Sequence, residues 1–105
     1  MLEYDVVIVG AGPVGGHAAG KIAEKKFNVA VIEKNKEVGQ HLNCAGLVTP
    51  RVFELINISK KGIIQNKIKG ANIHSPSNKI LKIGGDKVRA LAIDRVMFDK
   101  KIIEQ

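Results

Sequence analysis

The chain has 105 residues, 45% apolar and 26% charged, a balance that excludes disorder as the main state and fits one domain or part of one. A single cysteine excludes a disulfide framework and favours a reducing compartment, and no apolar run reaches the roughly 18–20 residues of a membrane span. The net charge of +7 falls entirely in residues 60–89, where Lys60, Lys61, Lys67, Lys69, Lys79, Lys82, Lys87 and Arg89 stand against Asp86 alone.

In chain order, Tyr4 and Asp5 lead into Val6, Val7, Ile8 and Val9, apolar without alternation. That pattern predicts a parallel strand buried on both faces. It starts almost at Met1, which leaves no room for a signal peptide and sets cytoplasm as the expected location. A glycine-rich turn follows from Gly10 to Gly16, and the pattern from Pro13 to about Lys26 reads as a helix. Proline suits the first helical turn, where its missing N–H costs nothing. Val14, Ala18 and Ile22, with Ala19 and Ala23, are expected to form the apolar face. Residues 28–33 read as a second strand, completing a βαβ unit of about thirty residues.

Beyond Glu33 an irregular loop is expected from Asn35 to Val48. Thr49 and Pro50 read as a helix start, with a hydroxyl cap and then a proline, and Val52, Phe53, Leu55 and Ile56 supply its buried face. Residues 67–75 and 79–83 read as two strands joined through Pro76, Ser77 and Asn78. Residues 88–93 form a short strand, and Asp94 is placed to cap a last helix with Phe98 and Ile102 one turn apart. The basic stretch reads either as a solvated face or as a patch for anionic phosphate, of a lipid or a nucleotide. Nucleic acid is disfavoured, because none of Tyr4, Phe27, Phe53 and Phe98 lies within that stretch as a stacking platform would require.

The densest chemical signal is Gly10-Ala11-Gly12-Pro13-Val14-Gly15, which fits G-x-G-x-x-G. It follows a strand, opens a helix, and has an acid, Glu33, 23 residues after Gly10. This is the full context of a dinucleotide fingerprint. Gly10 permits the tight turn, Gly12 lets the backbone approach a pyrophosphate, and Gly15 lets the helix close on the sheet. The helix N-terminus offers N–H groups and partial positive charge to the diphosphate. Glu33 is suited to ribose hydroxyls and disfavours a 2′-phosphate there.

Asp5 to Pro13, with Gly15, Ala18, Ala19 and the Glu33-Lys34 pair, resembles the N-terminal FAD-binding segment of two-dinucleotide-fold flavoproteins. The later motifs narrow this. Val38-Gly39, then Cys44-Ala45-Gly46-Leu47-Val48-Thr49-Pro50-Arg51, then Ile93-Asp94-Arg95 with Phe98-Asp99, resemble the geranylgeranyl reductase family in the same order. The resemblance implies an α/β fold: a Rossmann-like FAD-binding βαβ unit with an added β-hairpin region, similar to p-hydroxybenzoate hydroxylase, here incomplete. Residues 1–34 would be the dinucleotide unit, 35–60 the flavin-side loop and helix, 61–93 the basic hairpin region and 94–105 the start of a crossover helix.

By the same resemblance, Gly10, Gly12, Pro13, Val14, Gly15, Glu33 and Lys34 bind FAD, Cys44-Ala45-Gly46 is the loop beside the flavin, and Arg95 contacts the cofactor. A guanidinium suits diphosphate oxygens, to which it can bond in a bidentate way. Cys44 as a small buried hydrophobe and Arg95 as a surface partner of Asp99 remain open beside those roles. His41 with Cys44 does not make a four-ligand metal pattern, and His17 reads as a packing or surface residue.

The implied parent is a flavin-dependent oxidoreductase that saturates isoprenoid double bonds in lipid biosynthesis, with an isoprenoid lipid substrate and possible contact with an anionic membrane surface. An FAD monooxygenase, an electron-transfer dehydrogenase, and a non-catalytic nucleotide-binding module needing a partner chain stay open. A complete enzyme of that kind is several times longer, so no catalytic residue is assigned within these residues. Two parallel strands alone should leave apolar faces uncovered, and Ile102 and Ile103 are expected to lack partners, so a marginal or self-associating chain is anticipated.

Overall fold

The computed structural model describes residues 2–40 and 43–105, which divide into two compact units. The first comprises residues 1–43 with 95–105, and the second residues 44–94.

In the first unit, β1 (Val6–Val9) pairs in parallel with β2 (Val29–Ile32), Val6 opposite Val29 and Val9 opposite Ile32. Between them runs α1 (Pro13–Glu24), with Pro13 in its first turn as the sequence predicts. The pair is tied at both ends. The amides of Asp5 and Val6 donate to the Asn28 carbonyl at 2.9 and 3.1 Å, and Gly10 N–H donates to the Ile32 carbonyl at 2.7 Å. The helix α1 leaves through Lys26, whose φ of 66° lies in the left-handed region usually given to glycine. Lys26 N–H bonds back to the Ala23 carbonyl at 2.9 Å.

The last helix, α3 (Arg95–Ile103), packs on α1. A Cβ on Gly16 would lie 3.0 Å from Ile102 Cγ2, so the missing side chain is what admits α3. Ala19, Phe98 and Ile102 are buried there. Ile102 therefore has a partner surface, contrary to the expectation that the chain's last apolar residues lack one. The apolar face of α1 also differs from expectation. Val14 is 84% exposed and Ala23 is exposed, whereas Ala19 points inward as expected and is joined there by Gly16, because the small residues at i and i+3 meet α3. β1 is likewise half-covered rather than buried on both faces. Ile8 faces α1, whereas Val7 and Val9, with Ile32 beside them, are exposed on the other side.

In the second unit, β3 (Leu47–Val48), β7 (Ala90–Ile93) and β4 (Ile64–Ile68) form an antiparallel sheet in the order β3-β7-β4. A bulge in β4 falls between Ile64 and Asn66. A short helix α2 (Val52–Leu55) contributes Phe53, and Phe53, Ile56, Ile63, Leu91 and Ile93 are buried. β5 (Gly70–His74) and β6 (Ile80–Gly84) make a separate hairpin.

Three expectations are corrected here. The loop from Asn35 to Val48 contains β3, a two-residue strand held by Leu91 and Ala92 across the sheet. The single strand expected over 67–75 is two strands with different partners, since β4 pairs with β7 and β5 with β6. Thr49 is not the helix cap. Arg51 holds that position with no side-chain cap bond, and Thr49 instead accepts the Val52 amide at 3.2 Å through its carbonyl in the preceding turn.

Candidate functional site

The glycine turn connects β1 to α1. Gly10 adopts φ of 103°, a conformation that L side chains rarely take, so glycine is required there by the backbone itself. Gly15 is required by packing, because a Cβ on it would collide with the Gly10 carbonyl oxygen and press on Ile8. Gly12 is required by neither. It sits at the helix cap with φ −73° and ψ −177°, extended backbone open to any residue, and a Cβ there would meet no atom within 4 Å. The protein's own structure gives no reason for a glycine at this position. Space reserved for a close-lying ligand gives one.

The start of α1 has no side-chain cap and no acidic residue in its first turn. Its leading N–H groups and partial positive charge are therefore left to solvent or to an anion. Pro13 is half-buried at the first position and Val14 projects outward.

Glu33, half-buried just past β2, reaches this turn. Its Oε1 accepts the Ala11 amide at 3.1 Å, and its Oε2 accepts the Asn35 amide at 3.0 Å. The Ala11 bond first, then the Asn35 bond, hold its carboxyl below the ordinary value of 4.5, with the neighbouring charge of exposed Lys34 adding to the effect. Each carboxylate oxygen retains acceptor capacity for a hydroxyl. The spacing in the sequence anticipates an acid beside the turn. It does not anticipate that the acid also fastens the turn, nor the role of the Asn35 backbone.

Arg95, at the start of α3, bonds to Asp99 through Nε to Oδ1 at 3.1 Å and Nη2 to Oδ2 at 3.5 Å. It also lies over the Phe98 ring at 6.0 Å. Asp99 is only 2% exposed, so this is not the surface pair weighed from the sequence. Burial pushes its carboxyl above the ordinary value of 3.8, against the pull of Arg95. The periodicity that places Phe98 and Ile102 on the inner face places Asp99 there too, one turn before Ile102 and after Arg95.

In the second unit, Cys44 and Ala45 are exposed, which removes the reading of Cys44 as a buried hydrophobe. Gly46 is buried with φ of 77°, donates its N–H to Cys44 Sγ at 3.3 Å, and accepts the Ile93 amide at 2.8 Å. The turn thus curls the cysteine sulfur onto its own backbone and fixes the loop to β7. His41, weighed with Cys44 for a metal, lies outside the described residues, and among those described no group of three metal-ligating side chains occurs. No helix among the described residues is long and apolar enough to cross a membrane.

The model of the Thi4 family matches residues 1–67. A Methanocaldococcus jannaschii protein described as uncharacterised is 42% identical over 101 residues, covering 95% of this chain and 24% of its own length. The digeranylgeranylglycerophospholipid reductase of the same organism is 36% identical over 97 residues, covering 92% of this chain and 25% of its own. Among solved structures, a geranylgeranyl bacteriochlorophyll reductase-like protein from Thermoplasma acidophilum superposes with a TM-score of 0.84 at 29% identity, over 96% of this chain and 27% of that one. The chain spans about a quarter of the length of the curated relatives it matches.

Proposed function

This chain belongs to the Thi4 family and resembles the geranylgeranyl reductases along nearly its whole length, and from that premise we propose that it is the N-terminal FAD-binding part of a flavin-dependent oxidoreductase that reduces isoprenoid double bonds of a lipid. The observation that carries the reading is Gly12, a glycine that neither backbone strain nor packing within the protein accounts for.

The residues divide the binding work. Gly10 and Gly15 shape the turn, and Gly12 leaves the depth for a diphosphate to meet the first amides of α1. Pro13 and Val14 begin that helix, and exposed Val14 offers an apolar edge beside the phosphates. Glu33 accepts ribose hydroxyls while keeping the turn in place, and Lys34 adds positive charge next to it. Arg95, held by Asp99, presents a guanidinium of fixed orientation to the cofactor. Cys44, Ala45 and Gly46 form the loop that borders the flavin. Bound FAD supplies two-electron hydride chemistry suited to an isolated alkene, while the protein orients the groups and excludes water. The basic stretch of residues 60–89 meets the anionic part of the lipid or its membrane.

The test is Gly12→Val. The wild-type chain should purify with a visible flavin spectrum or take up added FAD. The variant should bind at least about tenfold more weakly, since a branched side chain fills the space that the diphosphate needs. Unaltered FAD binding by the variant, or a colourless wild type that retains only a nicotinamide dinucleotide, would overturn the reading.

A further inference from the structure

The hairpin β5–β6 is amphipathic across its two faces. Cross-strand register places Ala71 opposite Ile83 and Ile73 opposite Leu81 on one face. The other face carries Asn72 opposite Lys82 and His74 opposite Ile80. All ten strand residues are exposed, with Ile73 at 52%, Leu81 at 60% and Ile83 at 50%. A hairpin in water normally covers its apolar side, and this one leaves both faces open, the apolar one included.

The hairpin is also a firm element. At its root, a Cβ on Gly70 would strike the Ile83 carbonyl and one on Gly84 the Lys69 carbonyl, so the two glycines let the strands close. At its tip, Ser75 N–H bonds to the Lys79 carbonyl at 2.8 Å, Asn78 N–H bonds to the Ser75 carbonyl at 3.0 Å, and Asn78 takes φ of 64°. Lysines punctuate it: Lys67 and Lys69 before β5, Lys79 at the tip, Lys82 within β6 and Lys87 after it.

We propose that this hairpin is a membrane-surface anchor, its Ala71-Ile73-Leu81-Ile83 face entering the headgroup region of an anionic bilayer while the lysines engage lipid phosphates. Charge selects the occupant. Residues 60–89 hold eight basic groups and one acid, so a second copy docked on this surface would set like charges together. An anionic lipid surface satisfies both features at once, with apolar side chains buried shallowly and Lys stems snorkelling to the phosphates. The inference deepens the lipid reading above and stands apart from the flavin site, because its assay needs no cofactor and flavin retention is scored separately.

The experiment uses the full chain with vesicles of phosphatidylcholine alone or mixed with phosphatidylglycerol, at low and high salt. Wild type should float with the anionic vesicles at low salt and be released by high salt. Replacing Lys67, Lys69 and Lys79 by Glu should weaken binding by at least about fivefold per lysine. Ile73→Ser with Leu81→Ser and Ile83→Ser should weaken it by about tenfold or more, with circular dichroism unchanged, since the face supports no core. The chain contains no tryptophan, so a single one reports its own surroundings. Leu81→Trp should blue-shift with anionic vesicles and be quenched by brominated acyl chains, whereas Asn72→Trp, on the opposite face, should stay in water. Absence of vesicle binding, equal responses of the two tryptophans, or a blue shift of Leu81→Trp driven by protein concentration without lipid would overturn the proposal. The last would assign the face to self-association.

Discussion

Glu33, one residue beyond the second parallel strand, accepts the amide hydrogen of Ala11, two residues beyond the first, at 3.1 Å. One carboxylate thereby clamps the glycine turn from the end of the neighbouring strand. Because these bonds favour the ionised form, the folded chain binds this proton less tightly than the unfolded chain. The resulting stability is present above the ordinary value of 4.5 and is lost as pH falls through the lowered folded value. Glu33→Gln should lack this part of the acid dependence and show faster amide exchange at Ala11. Coincident acid unfolding curves for the two proteins would count against the clamp.

Gly12 and Gly15 should respond in opposite directions to a small side chain. Gly15→Ala forces a methyl into the Gly10 carbonyl and should destabilise by about 1–3 kcal/mol. Gly12→Ser places a capping hydroxyl at an uncapped helix start and should stabilise by a few tenths of a kcal/mol, to about 0.5 kcal/mol. Yet Gly12→Ser should weaken FAD binding. Urea melts paired with flavin titrations read both quantities, and a Gly12→Ser protein that is less stable yet binds FAD normally would reverse the assignment of the two glycines.

Asp99 is buried with Arg95 as its partner. Arg95→Ala leaves the carboxyl without that guanidinium and should cost about 3 kcal/mol, at the low end for breaking a buried pair because Arg95 is partly exposed. The folded state raises this carboxyl, so it holds the proton more tightly than the unfolded chain does. Its contribution is then fully present below 3.8 and declines as pH rises toward the raised folded value. Removing Arg95 should steepen that decline, and Asp99→Asn should flatten it. Denaturant melts at a series of pH values across that window test the sign.

Ile63 has no exposed surface and lies in the core of the second unit. Ile63→Ala should cost about 2–4 kcal/mol through the cavity it opens. Leu81→Ser on the open hairpin should stay within about 0.5 kcal/mol of wild type. Similar losses from both, measured by thermal unfolding, would mean that the hairpin face supports the fold.

What the sequence discloses and what it hides follows the range of the interactions involved. β1, the glycine turn, α1 and β2 are readable because a local apolar run, a proline and three glycines set them. β3 escapes because two residues, Leu47 and Val48, carry no pattern, and only Leu91 and Ala92, more than forty positions away, make them a strand. The break between β4 and β5 escapes for a similar reason. Residues 67–75 are uniformly strand-like, and the change of partner from β7 to β6 is marked only by Lys69 and Gly70. In α1, propensity predicts the helix but not its inner side. Val14 is apolar and exposed, while Gly16 is inside because Ile102 lies against it. At the site, the identity of Glu33 is legible from spacing, whereas its hold on Ala11 depends on the parallel register.

The return of α3 to Gly16 also dictates an order of assembly. The first unit is interrupted by the whole of the second, so its opening helix waits through residues 44–94 for the segment that covers it. On a ribosome, the contiguous unit can close as soon as it emerges, while α1 stays unclasped until Phe98 and Ile102 leave the tunnel. Nascent chains stalled with residue 94 just outside should therefore be cut by protease within α1, and chains extended until residues 95–105 have emerged should resist.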